Sequence, residues 1–460
     1  MNVLLIATYE LGRPSFGLAQ PAAWLREQGA TVSFLDLSVS SLDREAVEAA
    51  DLIAVHLPMH TATRLALEAL PEIQRRNPRA HLCFYGLYAP LHADHLLAQG
   101  ADSILGGEVE EDLAALARDL AAGAAPGRTR ISTARLRFRV PDREGLPPLE
   151  RYARLLLPGG GERLAGYTEA SRGCRHPCRH CPIVPVYEGR FRIVPAEVVL
   201  EDIRRQYERG ARHVTFGDPD FLNGPGHAVP LVEALHREWP DLTYDVTVKV
   251  EHLRRHGAAL AVLKRTGCVF VTTALESIDD RLLRLLRKGH TRADAEAAIR
   301  RCDALGLEVA PTFVPFTPWT TLAGYRSLLR WLVSMDLVER VAPIQLAIRL
   351  LIPPGSKLLD TPEGREVAGP LDPAALVHPW SHPDARMDEL AEAALDLVEE
   401  GEAGGWSRRR IFASLWSAAH EAGEIAAPVL PEWSERPLPH RLSEAWYCCA
   451  EPARRGVVAP

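Results

Sequence analysis

Three cysteines lie close together in the middle of this 460-residue chain and could hold a metal centre. Cys174, Cys178 and Cys181 stand in a C-x3-C-x2-C run, which places three thiolates on one short segment. A cluster of four irons normally takes four thiolates, so a site with three leaves one iron open for another ligand. The alternative is a structural zinc site in which His176 and His180 add nitrogen ligands. Because structural zinc sites usually draw their ligands from two separated pairs, the crowded spacing favours the cluster.

The run at residues 171–182, SRGCRHPCRHCP, resembles the cluster motif of the radical S-adenosylmethionine (SAM) enzymes. This resemblance implies a 4Fe-4S cluster on Cys174, Cys178 and Cys181, with SAM bound through its amine and carboxylate to the open iron. In that family an electron from the cluster cleaves a carbon-sulfur bond of SAM and yields a carbon radical. An external electron donor such as a flavodoxin or ferredoxin is implied as a partner. His180 replaces the aromatic residue common before the third cysteine, where the backbone often contacts the adenine of SAM.

Apolar runs alternate with helical patterns on both sides of the cysteines, which predicts the elements that position them. Five strands are predicted after the cysteines, at residues 213–216, 244–250, 269–275, 307–313 and 344–351. With one strand before the cysteines, they form six strand and helix units, the (β/α)6 partial TIM barrel that the resemblance implies. Active sites of such barrels lie at the carboxyl ends of the strands. Polar residues at those ends are therefore candidate cofactor contacts.

Several strand-end residues are candidates for binding SAM. Glu276 and Ser277 end the fourth strand in A-L-E-S and are followed by L-R-K-G, similar to a pair of motifs in the family whose carboxylate contacts the ribose or amino group of SAM. Arg349 lies in a segment resembling the family's sixth strand, and its planar guanidinium suits the SAM carboxylate. The alternative for Arg349 is a strand-end ion pair. Asp218, with Asp220 nearby, ends the second strand and is a further candidate.

Residues 1–121 are predicted to form an α/β domain with a doubly wound, Rossmann-like parallel sheet, because short apolar runs such as 3–7 alternate with amphipathic segments. This part resembles the cobalamin-binding domain that precedes the cluster domain in one large class of radical SAM enzymes, including its G-G-E-V-E run at 106–110. The D-x-H-x-x-G signature, which in many such domains places a histidine on cobalt, is absent from the sequence. Some members bind cobalamin without it, so cobalamin as a cofactor and an empty scaffold both stay open.

The rest of the chain divides by composition. Residues 122–164 are rich in glycine, proline and basic residues and are predicted to be a linker. The radical SAM partial barrel is predicted at 165–355. A helical C-terminal region is predicted at 356–460.

Two adjacent cysteines, Cys448 and Cys449, stand near the C-terminus in W-Y-C-C-A-E-P. This ending resembles the tail of the radical SAM family with CUAEP or CCAEP tails, in some of which one thiol position is selenocysteine. Adjacent α-carbons lie about 3.8 Å apart, whereas bridged cysteines usually lie about 4.4–6.8 Å apart, so a disulfide here would be strained and easily reduced. The pair is a candidate catalytic dithiol for exchange, for electron or hydrogen transfer, or for holding a thiophilic atom such as trivalent arsenic. The alternative is a disordered terminus with incidental thiols.

Composition points to a small-molecule partner in the cytoplasm. The net charge is −7 and no basic run resembles a phosphate-binding stripe, so no nucleic-acid partner is expected. No apolar stretch reaches membrane-spanning length, and no basic leader precedes the first strand, so no membrane association is expected. Eight cysteines, three of them clustered, are typical of a reducing compartment.

The sequence therefore predicts a radical SAM enzyme, and within that class a transferase. It would cleave SAM reductively and transfer a SAM-derived group to a small molecule or modify it, with the C-terminal dithiol handling substrate, a thiophilic atom or redox equivalents. One alternative is a cobalamin-dependent radical SAM methyltransferase. An alternative of another class is a non-catalytic iron-sulfur or zinc binding protein.

Overall fold

A computed structural model describes residues 1–125, 127–433 and 437–445, and the backbone of Ala450–Glu451. Its α/β architecture confirms the predicted fold class. A parallel sheet is followed by a curled sheet that forms a partial barrel, and helices cover both. Within the described part of the chain, no helix combines the length and the apolarity needed to cross a bilayer.

The N-terminal sheet has six parallel strands, and buried apolar side chains on both of its faces pack against helices. Its strands are β1 (Asn2–Ala7), β2 (Thr31–Asp36), β3 (Leu52–His56), β4 (His81–Tyr85), β5 (Ser103–Gly107) and β6 (Thr129–Ser132), in the spatial order β2-β1-β3-β4-β5-β6. Its helices are α1 (Phe16–Glu27), α2 (Arg44–Ala49), α3 (His60–Arg76), α4 (Ala93–Ala98) and α5 (Glu110–Ala121). The strand order reverses between β1 and β3, and ligands of open α/β sheets bind at such a switch point.

The sixth strand differs from the prediction. β6 lies inside the segment 122–164, which the composition identified as a linker, yet its backbone pairs in parallel with β5. Its four residues are mostly exposed and polar, as is common in an edge strand. An apolar pattern therefore could not reveal it. The placement of the domain boundaries stays a prediction.

The barrel consists of parallel strands that begin just before the cysteines. The strands of this region are β7 (Arg154–Leu156), β8 (Glu162–Thr168), β9 (Ser171–Gly173), β10 (Phe191–Ile193), β11 (His213–Phe216), β12 (Thr243–Thr247), β13 (Cys268–Glu276), β14 (Glu308–Phe313) and β15 (Arg349–Leu350). The helices are α6 (Ile183–Tyr187), α7 (Ala196–Glu208), α8 (Pro225–Glu238), α9 (Val250–Arg255), α10 (Gly257–Arg265), α11 (Asp280–Leu285), α12 (Arg292–Ala304) and α13 (Leu322–Ser334). β8, β11, β12, β13 and β14 pair in that order, and a parallel bridge from Phe316 to Arg349 adds β15.

The sixth barrel strand is shorter than the predicted 344–351. Pro343–Leu346 forms a 3₁₀ turn instead, and only Arg349 and Leu350 remain extended. Proline has no backbone N–H and favours the first position of a helical turn, which accounts for this start.

The C-terminal region contains α14 (Pro362–Val367), α15 (Ala385–Ala403), α16 (Arg408–Glu421), β16 (Arg441–Leu442) and β17 (Ala450–Glu451). α15 and α16 bury apolar faces in the same core as the barrel helices. The chain then returns to the barrel, because β16 pairs antiparallel with β7 and β17 pairs antiparallel with β15. Cys448 and Cys449 lie outside the described residues.

Candidate active site

The three predicted cluster ligands lie in one loop between β9 and α6. Cys174 and Cys178 are buried and Cys181 is half-buried. The loop leaves β9 at Gly173, whose φ is +71° and where a Cβ atom would lie 2.3 Å from the carbonyl oxygen of Arg190. Only glycine fits this turn without strain. The sequence thus forms the loop locally, at the carboxyl end of the first barrel strand.

Two buried side chains donate to the sulfurs of this loop. Asn223 Nδ2 lies 3.6 Å from Cys174 Sγ, and Lys249 Nζ lies 3.7 Å from Cys178 Sγ. Burial raises the pKa of the Cys174 thiol to about 11, although hydrogen bonds from the backbone of His176 and from Asn223 oppose this shift. A buried thiolate therefore needs a strong positive partner here, and a metal centre would supply one.

The spacing of the three sulfurs distinguishes between the two kinds of metal centre. In the described part of the chain, the three thiols are not among the sets of side chains whose ligand atoms all lie within 4.8 Å of one another. A zinc ion at about 2.3 Å from each sulfur would bring neighbouring sulfurs within about 4 Å. In the described structure the three sulfurs are therefore not drawn together as the ligands of a single ion would be, and their role as ligands of a multi-iron cluster stays a prediction.

Glu276 ends β13 beside the cluster loop, inside a buried set of polar groups. Its Oε1 accepts a hydrogen bond from Lys288 Nζ at 3.1 Å and lies 3.1 Å from His180 Nε2. Burial alone would raise the pKa of Glu276, but Lys288 and His180 more than offset it and lower the pKa to about 2. The carboxylate is therefore ionised at neutral pH. The other ring nitrogen of His180 is buried without a hydrogen-bond partner among the described residues.

The backbone at Glu276 is strained. Its φ of +68° is left-handed, a conformation that costs a non-glycine residue about 1–3 kcal/mol and persists only where the surroundings enforce it. The pairing of β13 with β14 shifts register at the same point. Strain of this kind is common at functional sites, which supports a role for this carboxylate.

The other predicted SAM contacts already have partners. Ser277 Oγ accepts a hydrogen bond from the Asp279 backbone. Asp218 accepts from the Ala170 backbone and the Ser171 hydroxyl, and burial raises its pKa to about 7.

Arg349 pairs with Asp388 of α15 at 2.8 Å and stacks on Trp380. This contact is of the kind that the sequence analysis gave as the alternative for Arg349, a strand-end ion pair rather than a contact to the SAM carboxylate. The structure thus brings His180 and Glu276 together beside the cysteines, and the roles of all these residues stay predictions.

The structure adds three buried residues that the sequence analysis did not single out. They are Asn223, Lys249 and His290. Lys249 lies two residues after the end of β12, so its place at a barrel strand end was the one available signal. His290 follows the Lys-Gly pair, and neither ring nitrogen has a hydrogen-bond partner in the described chain. Burial, with Lys288 and Lys249 close by, lowers the pKa of His290 to about 4.

A cavity of about 270 Å³ lies between the N-terminal sheet and the cluster loop. Its lining includes Glu10, His56 and Tyr85 from the N-terminal sheet and Glu169 and Arg172 from the barrel. It occupies the switch-point side of the sheet, where cofactors bind. Its volume falls below the range of about 300–1,000 Å³ that is typical of pockets for drug-sized ligands, and cobalamin is much larger than those. The cavity as it stands therefore does not fit cobalamin.

One histidine fills part of this crevice. His56 Nδ1 lies 2.9 Å from Glu10, and its ring occupies the space that a Cβ atom on Gly17 would need, with contacts of about 1.9 Å. His56 is thus held by the protein itself.

Comparisons with known proteins agree with this geometry. Residues 168–323 match the radical SAM superfamily, a range that includes the cysteines, Lys249, Glu276 and Lys288. Hopanoid C-3 methylase of Methylococcus capsulatus is 27% identical over 151 residues, which are 33% of this chain and 29% of that protein. The tRNA-2-methylthio-N(6)-dimethylallyladenosine synthase of Herpetosiphon aurantiacus is 29% identical over 143 residues, 28% of this chain and 31% of that protein. The chain thus spans about 30% of the length of these curated relatives.

Two solved structures share the fold over most of the chain. The cobalamin-dependent SAM radical enzyme OxsB, with aqua-cobalamin and SAM bound, matches with a TM-score of 0.68 and 16% identity over 88% of this chain and 67% of that one. The radical SAM methyltransferase TsrM of Kitasatospora setae, with tryptophan and a SAM analogue bound, matches with a TM-score of 0.59 and 19% identity over 73% of this chain and 71% of that one. These likenesses show the fold, and the family match implies a 4Fe-4S cluster and SAM as cofactors.

Proposed function

We propose that this chain, whose residues 168–323 form a radical SAM domain, is an enzyme that cleaves SAM reductively and transfers a SAM-derived group to a small molecule. The observation that carries the proposal is the buried Glu276–His180–Lys288 set, which shares the carboxyl end of the barrel with the cysteine loop. When bound, the cluster supplies the electron that breaks a carbon-sulfur bond of SAM.

The residues of the chain have separate tasks in this proposal. Cys174, Cys178 and Cys181 would hold three irons, and Lys249 stabilises the charge on Cys178 through its ammonium group. The ionised Glu276 carboxylate would accept hydrogen bonds from the amino group or ribose of SAM, since a charged acceptor binds such donors strongly. Lys288 and His180 hold that carboxylate in place. Their burial keeps water away from the reacting groups.

The tail belongs to the same proposal. β17, which begins directly after Cys449, pairs with β15 of the barrel, and this pairing supports a dithiol that works at the barrel. The W-Y-C-C-A-E-P ending supports our assignment of the chain to the group of radical SAM proteins with CCAEP tails. The dithiol would handle a thiophilic atom, redox equivalents or the substrate itself. A thiolate-held cluster and a reduced dithiol call for the cytoplasm and for a donor such as a flavodoxin or ferredoxin.

A second candidate is a cobalamin-dependent methyltransferase. The observation that favours it is the likeness to OxsB and TsrM over both the N-terminal sheet and the barrel. The cavity of about 270 Å³ is smaller than cobalamin requires, and we derive no step through that cofactor. An ultraviolet-visible spectrum of protein expressed with cobalamin supplied distinguishes the two candidates.

The test is anaerobic reconstitution followed by analysis of iron, sulfide and SAM cleavage. The wild-type chain should carry one 4Fe-4S cluster and cleave SAM when it is reduced. Changing Cys174, Cys178 or Cys181 to Ala should remove both properties. Cys302→Ala is the matched control, because this buried thiol lies in α12 and should be dispensable. Stoichiometric zinc without iron after anaerobic expression would overturn the proposal in favour of a metal-binding protein without turnover.

A further inference from the structure

Two histidines and an aspartate converge on one point beside the cluster loop. His176 lies between Cys174 and Cys178, Asp220 follows β11, and His252 lies in α9. His176 Nε2 is 3.2 Å and His252 Nδ1 is 2.7 Å from the same oxygen of Asp220, Oδ2. Asp220 is fully buried, and the two imidazoles are mostly buried. Three elements that are distant in sequence thus supply two nitrogens and one oxygen to a single small volume.

The spacing of these atoms suits the ligands of one metal ion. Among the residues that the structure describes, this is the one set of three His, Cys, Asp or Glu side chains whose ligand atoms all lie within 4.8 Å of one another. An ion bound tetrahedrally at about 2.0–2.2 Å by nitrogen and oxygen has neighbouring donors about 3.3–3.6 Å apart. The 3.2 Å between His176 Nε2 and Oδ2 is close to this spacing, and the 2.7 Å between His252 Nδ1 and Oδ2 is shorter.

The orientation of His252 is the second observation. Its Nδ1 is buried and close to Oδ2 of Asp220, yet it lacks the alignment of a hydrogen bond and has no other partner among the described residues. Two polar atoms that are close but misaligned face a common point rather than each other. A shared cation at that point would satisfy both.

Outer contacts hold the ligands as they do around bound metals. The second oxygen of Asp220, Oδ1, accepts a hydrogen bond from the Lys249 backbone at 3.3 Å, while Oδ2 faces both imidazoles and is hydrogen-bonded to His176 in the absence of an ion. The other nitrogen of His176, Nδ1, lies 3.6 Å from the Glu251 carboxylate. A carboxylate behind a ligating histidine fixes the ring and strengthens it as a ligand.

We propose that His176, Asp220 and His252 form a second metal site, which binds a divalent transition-metal ion such as Zn²⁺ or Fe²⁺. Two imidazoles and one carboxylate are a donor set for these ions and leave coordination positions open. The open positions would take water or an oxygen or nitrogen atom of a small-molecule substrate, next to the cluster loop. This site does not depend on the proposed function of the cluster.

The experiment is a zinc titration of the anaerobic protein with its cluster in place, so that the three cysteines are already occupied. Isothermal titration calorimetry should show one Zn²⁺ per chain in addition to the cluster. Asp220→Asn and His252→Gln should each weaken this binding at least about 100-fold, the upper end of the effect of losing an outer contact. His256→Gln is the matched control. The ring centroids of His256 and His252 lie 5.2 Å apart, but His256 is outside the triad. Its replacement should therefore leave the affinity for zinc unchanged.

Iron content and circular dichroism report whether each variant keeps its fold. If the buried Asp220→Asn variant loses its cluster, His252→Gln at its more exposed position provides the same comparison. Absence of zinc binding in the wild type, or equal binding in the wild type and His252→Gln, would overturn the proposal. If zinc binding depends on the triad but the protein cannot cleave SAM, this result would support the metal site and count against the proposed enzyme function.

Discussion

Glu276 shows how one residue combines charge, burial and backbone strain. It ends β13 in a left-handed conformation and keeps an ionised carboxylate in a buried place. The positive charge of Lys288, held at 3.1 Å, offsets the cost of that burial. A carboxylate fixed in this way is prepared to accept hydrogen bonds from a cationic or hydroxyl-bearing ligand.

Replacing Glu276 with Gln should weaken SAM binding by about 10- to 100-fold and leave the cluster in place. The variant loses a charge-assisted hydrogen bond, which contributes roughly 1.5–3 kcal/mol, but no ligand to iron. Because the pKa of Glu276 is about 2, the carboxylate is ionised throughout the neutral range, and titration of this group should not change SAM affinity between about pH 6 and pH 8. Equilibrium binding of SAM to the anaerobic protein measures both effects. Glu308→Gln is the control, because Glu308 begins β14 at the end of the strand that lies away from Glu276. Loss of iron from the Glu276→Gln variant would show that Glu276 has a structural role instead.

Lys249 should set the reduction potential of the cluster. Its ammonium lies 3.7 Å from Cys178 Sγ, and a positive charge there stabilises the added electron. Lys249→Met should therefore lower the potential, by an amount on the order of 100–200 mV for one charge at an effective dielectric constant near 20. Redox titration followed by electron paramagnetic resonance measures the shift. Lys249→Arg keeps the charge and should stay near the wild-type value, and an unchanged potential in the Met variant would refute this role.

At the scale of elements, a buried ion pair joins the segment before the barrel to helix α7. Arg143 donates from Nε and Nη2 to the two carboxylate oxygens of Asp202 in α7, at 2.7 and 3.0 Å. Nη2 also donates to the Tyr167 carbonyl of β8. The pair ties a segment without regular secondary structure to the first barrel strand, β8, and to helix α7.

Breaking this pair should destabilise the protein strongly. Arg143→Met leaves the fully buried Asp202 carboxylate without its cation, which costs about 3–5 kcal/mol in comparable cases. The double variant Arg143→Met/Asp202→Leu should recover much of that loss, because no buried charge remains. Denaturant unfolding of the two single variants, the double variant and the wild type gives the coupling energy. If the losses in free energy of unfolding of the two single variants add up to the loss of the double variant, the two charges do not act as a pair.

At the scale of the whole molecule, the C-terminal segment connects both parts of the chain. The hydroxyl of Tyr9 in the N-terminal domain donates to Glu444, and the His440 backbone donates to Glu308 of β14 at 2.8 Å. β17 then pairs with β15. The described residues before and after the two thiols, His440 and Ala450–Glu451, thus both contact the barrel.

Replacing Cys448 and Cys449 together with Ser should leave the cluster and reductive SAM cleavage intact but abolish transfer of the SAM-derived group. The radical would still form, and its acceptor or reductant would be missing. Mass spectrometry of reaction products alongside a SAM cleavage assay separates the two steps, with Cys302→Ala as the thiol control. If the double variant forms product at the normal rate, the two thiols have no catalytic role. The interpretation of a terminus with incidental thiols would then apply.

The sequence by itself determined the fold class, which the structure confirms, and it located the segment whose three cysteines are predicted to hold the cluster. Strand and helix periodicity and the C-x3-C-x2-C spacing are local patterns, so they can be recognised without any knowledge of packing. The strands of both sheets were therefore found, except that polar edge residues hid β6 of the N-terminal sheet and the turn at Pro343 shortened the last barrel strand. The class of chemistry followed from the same local motif.

Only the tertiary structure decided which polar groups meet. Arg349 pairs with Asp388, Lys249 approaches Cys178, and His176, Asp220 and His252 converge from three elements. These partners are separated by tens of residues, and whether they touch depends on how the helices and strands pack. No local pattern records such distances, because side-chain position at a strand end is set by the neighbouring strands rather than by the adjacent sequence. The cluster segment was therefore legible in the sequence, whereas its electrostatic surroundings became visible only in the folded chain.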